Sequence, residues 1–224
     1  MDTALFVLEI IGYISFAISG AIVAIDNETD LFGVLMLAIV TSFGGGVLRD
    51  LLIGNQPVVF FTSYVAVAVC AVTSLAVFVI AFVFKKKYVE NEKIVNRINN
   101  YFDALGLGLF VALGAKICMD FGITNPFAIF ICGMLSGTGG SVTRDIILGD
   151  IPLVLRKRIY VLAALVGVVL YWGLIKLDVE HVFATAACAG MVFVIRLLAT
   201  IFEWDMPKAI DFSKLREEES SPKE

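Results

Sequence analysis

The 224-residue sequence is 59% hydrophobic and only 17% charged, where a soluble domain of this size would be about a quarter charged. Together with a mean hydropathy of +0.93, this places the chain in the membrane class. The formal net charge of −4 comes with no basic domain and no nucleic-acid-reading motif, so a nucleic-acid partner is excluded.

A spanning helix needs about 20 predominantly apolar residues. The first such stretch runs from about Ala4 to Ile25 and ends at the polar loop Asp26-Asn27-Glu28-Thr29-Asp30. No basic residue precedes it and no small-residue cleavage site follows, so it is expected to be a span rather than a signal peptide. The second runs from about Leu31 to Ile53, and the third from Thr62 to Phe84, stopping at Lys85-Lys86-Lys87. A polar linker, 88–100, separates two halves, 1–87 and 101–178. The fourth span covers Tyr101 to Phe121, the fifth Pro126 to Leu148 and the sixth Ile159 to Leu177. The seventh, Val182 to Phe202 within 179–204, precedes a charged tail, 205–224, without apolar periodicity, which is expected to be disordered. Basic residues favour the cytoplasmic side. An outside N-terminus and a cytoplasmic C-terminus gather Lys85 to Lys87, Lys93, Arg97, Arg156-Lys157-Arg158 and the tail on that side. These basic runs can also contact anionic lipid head groups.

The second span carries Gly44-Gly45-Gly46-Val47-Leu48-Arg49-Asp50, running on to Gly54 and Pro57. The fifth repeats it as Gly139-Gly140-Ser141-Val142-Thr143-Arg144-Asp145, running on to Gly149 and Pro152. Gly45 and Gly140 are 95 residues apart, and at that offset 7 of the 14 positions from Gly44 to Pro57 are identical. An offset of 94 aligns Glu9 with Asp103, Gly12 with Gly106, Phe16 with Phe110 and Gly20 with Gly114. Each half is therefore three helices, with the seventh unpaired. Because three is odd, the second half enters the membrane from the opposite face. The predicted fold is an all-α membrane protein: two inverted three-helix repeats plus a seventh helix, with the second and fifth helices kinked at glycine. Glycine-interrupted helices at matching places in two such halves are the best sequence pointer to a transport site.

Glycine in a helix interior costs about 1 kcal/mol relative to alanine, so Gly44 to Gly46 and Gly139-Gly140 mark places where a helix is free to bend or unwind. Carbonyls freed there, at Gly44, Gly45, Gly139 and Gly140, would suit a transient, partly dehydrated monovalent cation. The competing reading is that the glycines permit close helix packing. Arg49-Asp50 and Arg144-Asp145 are expected near helix ends on opposite membrane sides. There they would line the mouths of a pore, or form structural ion pairs that cap a broken helix, or both. Glu9 and Lys116 fall at similar depth and are a candidate pair, and Lys116 is alternatively a pore-lining or voltage-sensing charge. Asp103 and Asp120 lie near opposite ends of the fourth span. Cys70, Cys118, Cys132 and Cys188 lack metal-ligand spacing and read as small buried hydrophobes. His181 reads as a boundary residue. With no nucleophile–His–acid set and no metal or cofactor motif, neither an enzyme nor a bound cofactor is expected.

The two glycine motifs, with the Asp103-Ala104-Leu105-Gly106…Phe110…Gly114-Ala115 pattern of the fourth span, resemble the prokaryotic branch of the TRIC family. These are the trimeric intracellular cation channels and their bacterial relatives. The resemblance covers about Ala4 to Phe202, with Ser141 standing where the second motif would have its third glycine. It implies a homotrimer in a prokaryotic inner membrane, with one pore inside each protomer around the second and fifth helices. It also implies permeation of potassium in preference to sodium. The pore elements it carries over are Gly44, Gly45, Gly46, Gly139 and Gly140, with Arg49, Asp50, Arg144 and Asp145 beside them. A secondary transporter of a small solute such as glycine is the alternative on the same repeat architecture, and a structural membrane scaffold is a third.

Overall fold

The computed structural model describes residues 3–156 and 159–202. Lys157, Arg158 and the tail 205–224, two of the regions assigned above to the cytoplasmic side, lie outside them. The described residues form helices without a strand: α1 (Thr3–Asp26), α2 (Leu31–Ile53), α3 (Val59–Thr62), α4 (Tyr64–Val83), α5 (Lys85–Glu90), α6 (Glu92–Asp120), α7 (Pro126–Ile147), α8 (Leu153–Arg156), α9 (Ile159–Lys176) and α10 (His181–Ile201). Among them α1, α2, α4, α6, α7, α9 and α10 are each long and apolar enough to cross a membrane. The protein is a multi-pass integral membrane protein of seven spans.

Local chemistry explains where the spans begin and end. Asp30 caps α2, its carboxylate accepting the Gly33 amide at 2.8 Å. Asn125 caps α7 by accepting the Phe127 amide at 3.0 Å, with Pro126 in the first turn, where a missing N–H costs nothing. Beyond α2 and α7 the chain turns through Gly54 at φ 72° and Gly149 at φ 75°. The next amide in each case, of Asn55 and of Asp150, bonds back to the carbonyl of Asp50 and of Asp145 at 2.9 Å. That is a left-handed glycine stop of the Schellman type at both ends of the repeat.

Two boundaries differ from the sequence expectation. Residues 88–100, expected as a linker, are helical: α5 covers their start and α6 begins at Glu92. Glu, Lys, Arg and Ile sustain a helix as well as apolar residues do, so hydropathy marks where lipid begins rather than where the helix does. The third span starts at Tyr64 rather than Thr62, because Thr62 belongs to the separate turn α3 and Ser63 lies between the two helices.

The interior is built largely from small residues and rings. Tyr13, Phe16, Ala17, Ala21, Ala38, Phe43 and Phe110 form one buried cluster. Val111, Ala112, Ala115, Ile129, Tyr160, Val168 and Tyr171 belong to another. Cys70, Cys118, Cys132 and Cys188 are free and buried. Large apolar side chains such as Phe32, Leu52, Phe61, Phe127 and Phe183 are exposed, as residues facing acyl chains rather than water would be. The helices pack as α1 against α2, α4 and α6, with α2 crossing α7; α6 packs against α7, and α10 lies on α6 and α9.

Candidate functional site

At the crossing of α2 and α7 the two glycine tracts meet. A Cβ on Gly45 would overlap the carbonyl oxygen of Ser136, and one on Gly140 would overlap that of Thr41. A Cβ on Gly44 would stand 3.1 Å from Gly140 Cα, and one on Gly139 2.9 Å from Gly45 Cα. Since Ser136 is Thr41 shifted by 95, these contacts are reciprocal, the pattern a local two-fold axis generates. Gly12 and Gly106 behave likewise: a Cβ on the first would press on the Phe110 ring and one on the second on the Phe16 ring. Phe16 and Phe110 stack on each other at 5.2 Å.

The expectation that the backbone opens at these glycines is corrected. Both α2 and α7 are helical without interruption, so Gly44, Gly45, Gly139 and Gly140 do not present a ring of freed carbonyls to a cation. Backbone contact across the crossing excludes any side chain, and that packing outweighs the low helix propensity of glycine. Ser141, standing where the third glycine would be, donates to the Thr138 carbonyl at 2.9 Å and lies 3.3 Å from the Tyr160 hydroxyl.

The two Arg-Asp pairs are built alike. Arg49 donates through Nε and Nη2 to Asp50 Oδ1 at 2.9 and 2.7 Å, and Arg144 donates to Asp145 Oδ1 at the same two distances. Each guanidinium reaches one further hydroxyl, Ser136 at 3.2 Å from Arg49 and Ser19 at 3.4 Å from Arg144. Each second carboxylate oxygen accepts the first amide of the short helix that follows: Val59 on Asp50 at 2.8 Å and Leu153 on Asp145 at 2.9 Å. Asn55 adds a bond to Asp50 at 3.2 Å. All four side chains are buried. Of the two roles considered for them, an ion pair that also fastens the following turn is what the geometry holds. Burial makes each pair costly to break, because the surviving partner would be a charge without a counter-ion.

Beside Arg49, between α1, α2, α4 and α6, lies a cavity of about 470 Å³. Glu9, Tyr13, Ser42, Gly46, Arg49, Lys116 and Asp120 bring polar groups to its wall, and Phe43, Phe110 and Leu113 line it too. Tyr13 stacks on Phe43 at 4.7 Å and meets the edge of Phe110 at 5.0 Å. Glu9 and Lys116 share this cavity, but the proposed pairing between them is corrected: Lys116 pairs with Asp120 one turn along α6. The i, i+4 spacing brings those two together without cost. A wider cavity of about 1100 Å³, lined by Asp26, Glu28, Lys85, Tyr88, Glu92 and Asp150, opens beside the ends of α1 and α5. There the Tyr88 hydroxyl donates to Asp26 at 3.0 Å; burial and that carboxylate push the phenol above its ordinary pKa, holding it as a donor.

A second polar cluster centres on Asp103. Tyr160 donates to Asp103 Oδ1 at 3.4 Å, Arg196 Nη2 stands 3.6 Å from Asp103 Oδ2, and the guanidinium lies 4.5 Å from the Tyr160 ring centre. Asp103, Tyr160 and Arg196 are all buried. Sequence reasoning missed Tyr160, Ser19, Ser136 and Arg196. For Arg196 a signal was available, since it is a lone arginine inside the apolar run Val182 to Phe202, and ionisable residues within spans are functional candidates by default. His181 starts α10 and lies with Nδ1 2.8 Å from the Tyr171 hydroxyl.

Comparison with known proteins follows this geometry closely. The family model described as "Glycine transporter" matches twice, at residues 6–82 and 100–176, so the duplication extends over both three-span halves at the 94-residue offset. The chain is 36% identical to the UPF0126 membrane protein YvgT of Bacillus subtilis, over 89% of this chain and 94% of that one. A TRIC trimeric intracellular cation channel orthologue from Rhodobacter sphaeroides superposes with a TM-score of 0.80 at 29% identity, covering 91% of this chain and all of that one. A prokaryotic TRIC channel solved in 0.5 M KCl gives 0.80 at 30% identity, covering 92% of this chain and all of that one. The chain belongs to the TRIC family, with its UPF0126 bacterial relatives. In this TRIC member the motif residues fall into two sets, Arg49, Asp50 and Gly46 beside the smaller cavity, and Ser141, Arg144 and Asp145 beside Asp103 and Arg196.

Proposed function

We propose that this protein is a cation channel, potassium-permeable, with the pathway inside each protomer of a homotrimer. The observation that carries this is the cavity of about 470 Å³, which brings Glu9 and Arg49 together between α1, α2, α4 and α6, on a fold shared with TRIC channels over 91–92% of the chain. Cations entering it meet the Glu9 carboxylate, in a partly closed low-dielectric cleft where one charge focuses the field more strongly than in open water. In this reading Tyr13 and the stacked Phe16–Phe110 pair form the constriction. A bend of α2 and α7 at their glycines, within unbroken helix, belongs to this picture, as does an inverted relation of the two halves across the crossing. With the N-terminus outside, the Glu9 cavity faces outward and the wider acidic cavity around Asp26 and Glu92 faces the cytoplasm of a prokaryotic inner membrane.

Purified protein in planar lipid bilayers tests the proposal. Unitary steps that carry potassium, and carry it better than sodium, are expected. Saturable glycine uptake into vesicles without such steps would replace the channel with a transporter that works by alternating access.

A further inference from the structure

The repeat makes Glu9 and Asp103 equivalent, yet their surroundings differ in one respect. Glu9 lines an open cavity. Asp103 is buried and faced by Arg196 of α10, the span that has no counterpart in the first half. The pairing is loose for an arginine and a carboxylate. Well-made pairs of this kind are bidentate or two-pronged at about 2.7–2.9 Å, and Arg49–Asp50 and Arg144–Asp145 reach that standard in this same chain. Arg196 approaches Asp103 only to 3.6 Å. Asp103 Oδ2 and Arg196 Nε, both buried, have no hydrogen-bond partner among the described residues. Among the described residues, the Tyr160 ring beneath the guanidinium and the charge of Asp103 hold it in place.

We propose that Asp103 is a monovalent-cation site in the second half of the molecule, and that the Arg196 guanidinium occupies it as a tethered cation. The Asp103 carboxylate already has one oxygen engaged by Tyr160; the other, Oδ2, is the free ligand. Tyr160 supplies a ring face, which attracts a guanidinium and a bare alkali cation alike. Ser141, the departure from the triple glycine, supports the Tyr160 hydroxyl from the opposite side. In the first half the corresponding position, Gly46, has no side chain to brace such a ring, and at the 94-residue offset of the family match Tyr160 falls on Ala66. The first half therefore keeps an open carboxylate while the second keeps an occupied one. A passing cation must displace Arg196 or be repelled by it, so this residue sets the barrier on that side, a role that rests on the channel function proposed above.

The test is to empty the site and look for a replacement ion. Crystals of wild type and of Arg196→Ala are soaked in thallium, whose anomalous signal marks monovalent-cation positions. A thallium peak at the Asp103 carboxylate in Arg196→Ala and none there in wild type is expected; thallium at Asp103 in both, or in neither, would overturn the proposal. Should Arg196→Ala be too unstable to crystallise, its melting temperature in detergent reads the same occupancy. Potassium, thallium and guanidinium chlorides at millimolar concentration are expected to raise it. Arg196→Ala/Asp103→Asn is expected not to respond, and an equal response of both variants counts against the site. In bilayers Arg196→Ala is expected to pass potassium at least about twofold faster than wild type, and free guanidinium is expected to block that variant and not wild type. A protein that binds thallium at Asp103 in the variant but passes no current in either form would retire the channel and leave the cation site standing. Current that is the same in both forms and indifferent to guanidinium would retire the barrier role of Arg196 alone.

Discussion

The two halves of this protein carry the same motif and use it differently. Both end a span with an arginine bonded to the next aspartate, both let that aspartate hold the amide of the following turn, and both stop at a left-handed glycine. The first half leaves its membrane-depth carboxylate, Glu9, beside a cavity, and the second covers Asp103 with a span the repeat does not supply. What is shared is therefore scaffold, and what differs is access. Duplication explains the scaffold; the unpaired seventh span explains the asymmetry.

The largest loss is expected at the shared crossing of α2 and α7. Leucine at Gly45 or Gly140 would place a side chain on a neighbouring backbone carbonyl, and backbone cannot move aside as a side-chain tip can. Both variants are expected to lose folded protein altogether, seen as no monodisperse peak on size exclusion in detergent. Gly46→Ala is the control: its nearest neighbour is a Val59 methyl at 3.1 Å, and it is expected to fold. Equal yields for Gly140→Leu and Gly46→Ala would remove the close-packing account of the crossing.

Next come the two aspartates. Asp50→Asn and Asp145→Asn each strand a buried guanidinium, and breaking a buried pair costs about 3–5 kcal/mol. Asp50 also accepts the side-chain amide of Asn55, and the equivalent position 150 is an aspartate with no amide to donate, so Asp50→Asn is expected to be the worse, by about 1 kcal/mol for the additional hydrogen bond. Denaturant or thermal unfolding of both variants in one detergent checks the order, and a reversed order would show that Asn55 contributes nothing.

Much of the fold is legible in the sequence. Seven apolar runs gave the spans because lipid demands length and apolarity of every one of them, and the repeat was legible because identical residues recur at a fixed offset. Gly54 and Gly149 look like loop glycines in sequence and proved to be the stops that turn the chain back onto Asp50 and Asp145. What the sequence could not decide was how the glycine tracts are used. A run of glycine permits an opened helix and permits two helices to touch, and only the position of the second helix distinguishes them. Lys116 illustrates the same limit at smaller scale, since Glu9 and Asp120 are both within reach by depth and the local i, i+4 partner prevailed. Arg196 was visible as an isolated charge in an apolar run, but its partner lies on α6, across a distance in sequence that no spacing rule connects.

The stop glycines perturb both halves alike at a lower energy. At Gly54 and Gly149 nothing would meet a new Cβ, so alanine is penalised by its left-handed backbone alone, about 1–2 kcal/mol. Because the two turns match, Gly54→Ala and Gly149→Ala are expected to lower stability by equal amounts. A difference larger than about 1 kcal/mol would mean that one aspartate cap bears more of its turn than the other.

The smallest expected change falls on Lys116, and there the two readouts part. Its ion pair with Asp120 is partly exposed, with side-chain exposures of 21% and 53%, and pairs of this kind contribute about 0.3–0.5 kcal/mol. Lys116→Gln should thus scarcely move the melting temperature. Yet Lys116 shares the cavity wall with Glu9, and removing a positive charge from a cation's entrance should raise potassium current, while Glu9→Gln should lower it. Both shifts should shrink as salt rises from about 0.01 to 1 M, where the screening length falls from about 30 to 3 Å. Opposite signs at low salt that converge at high salt would place both residues on the ion's path through the first half. Changes that persist unaltered at 1 M would instead mean that the substitutions deform the cavity, and the difference in access between the halves would have to be sought elsewhere.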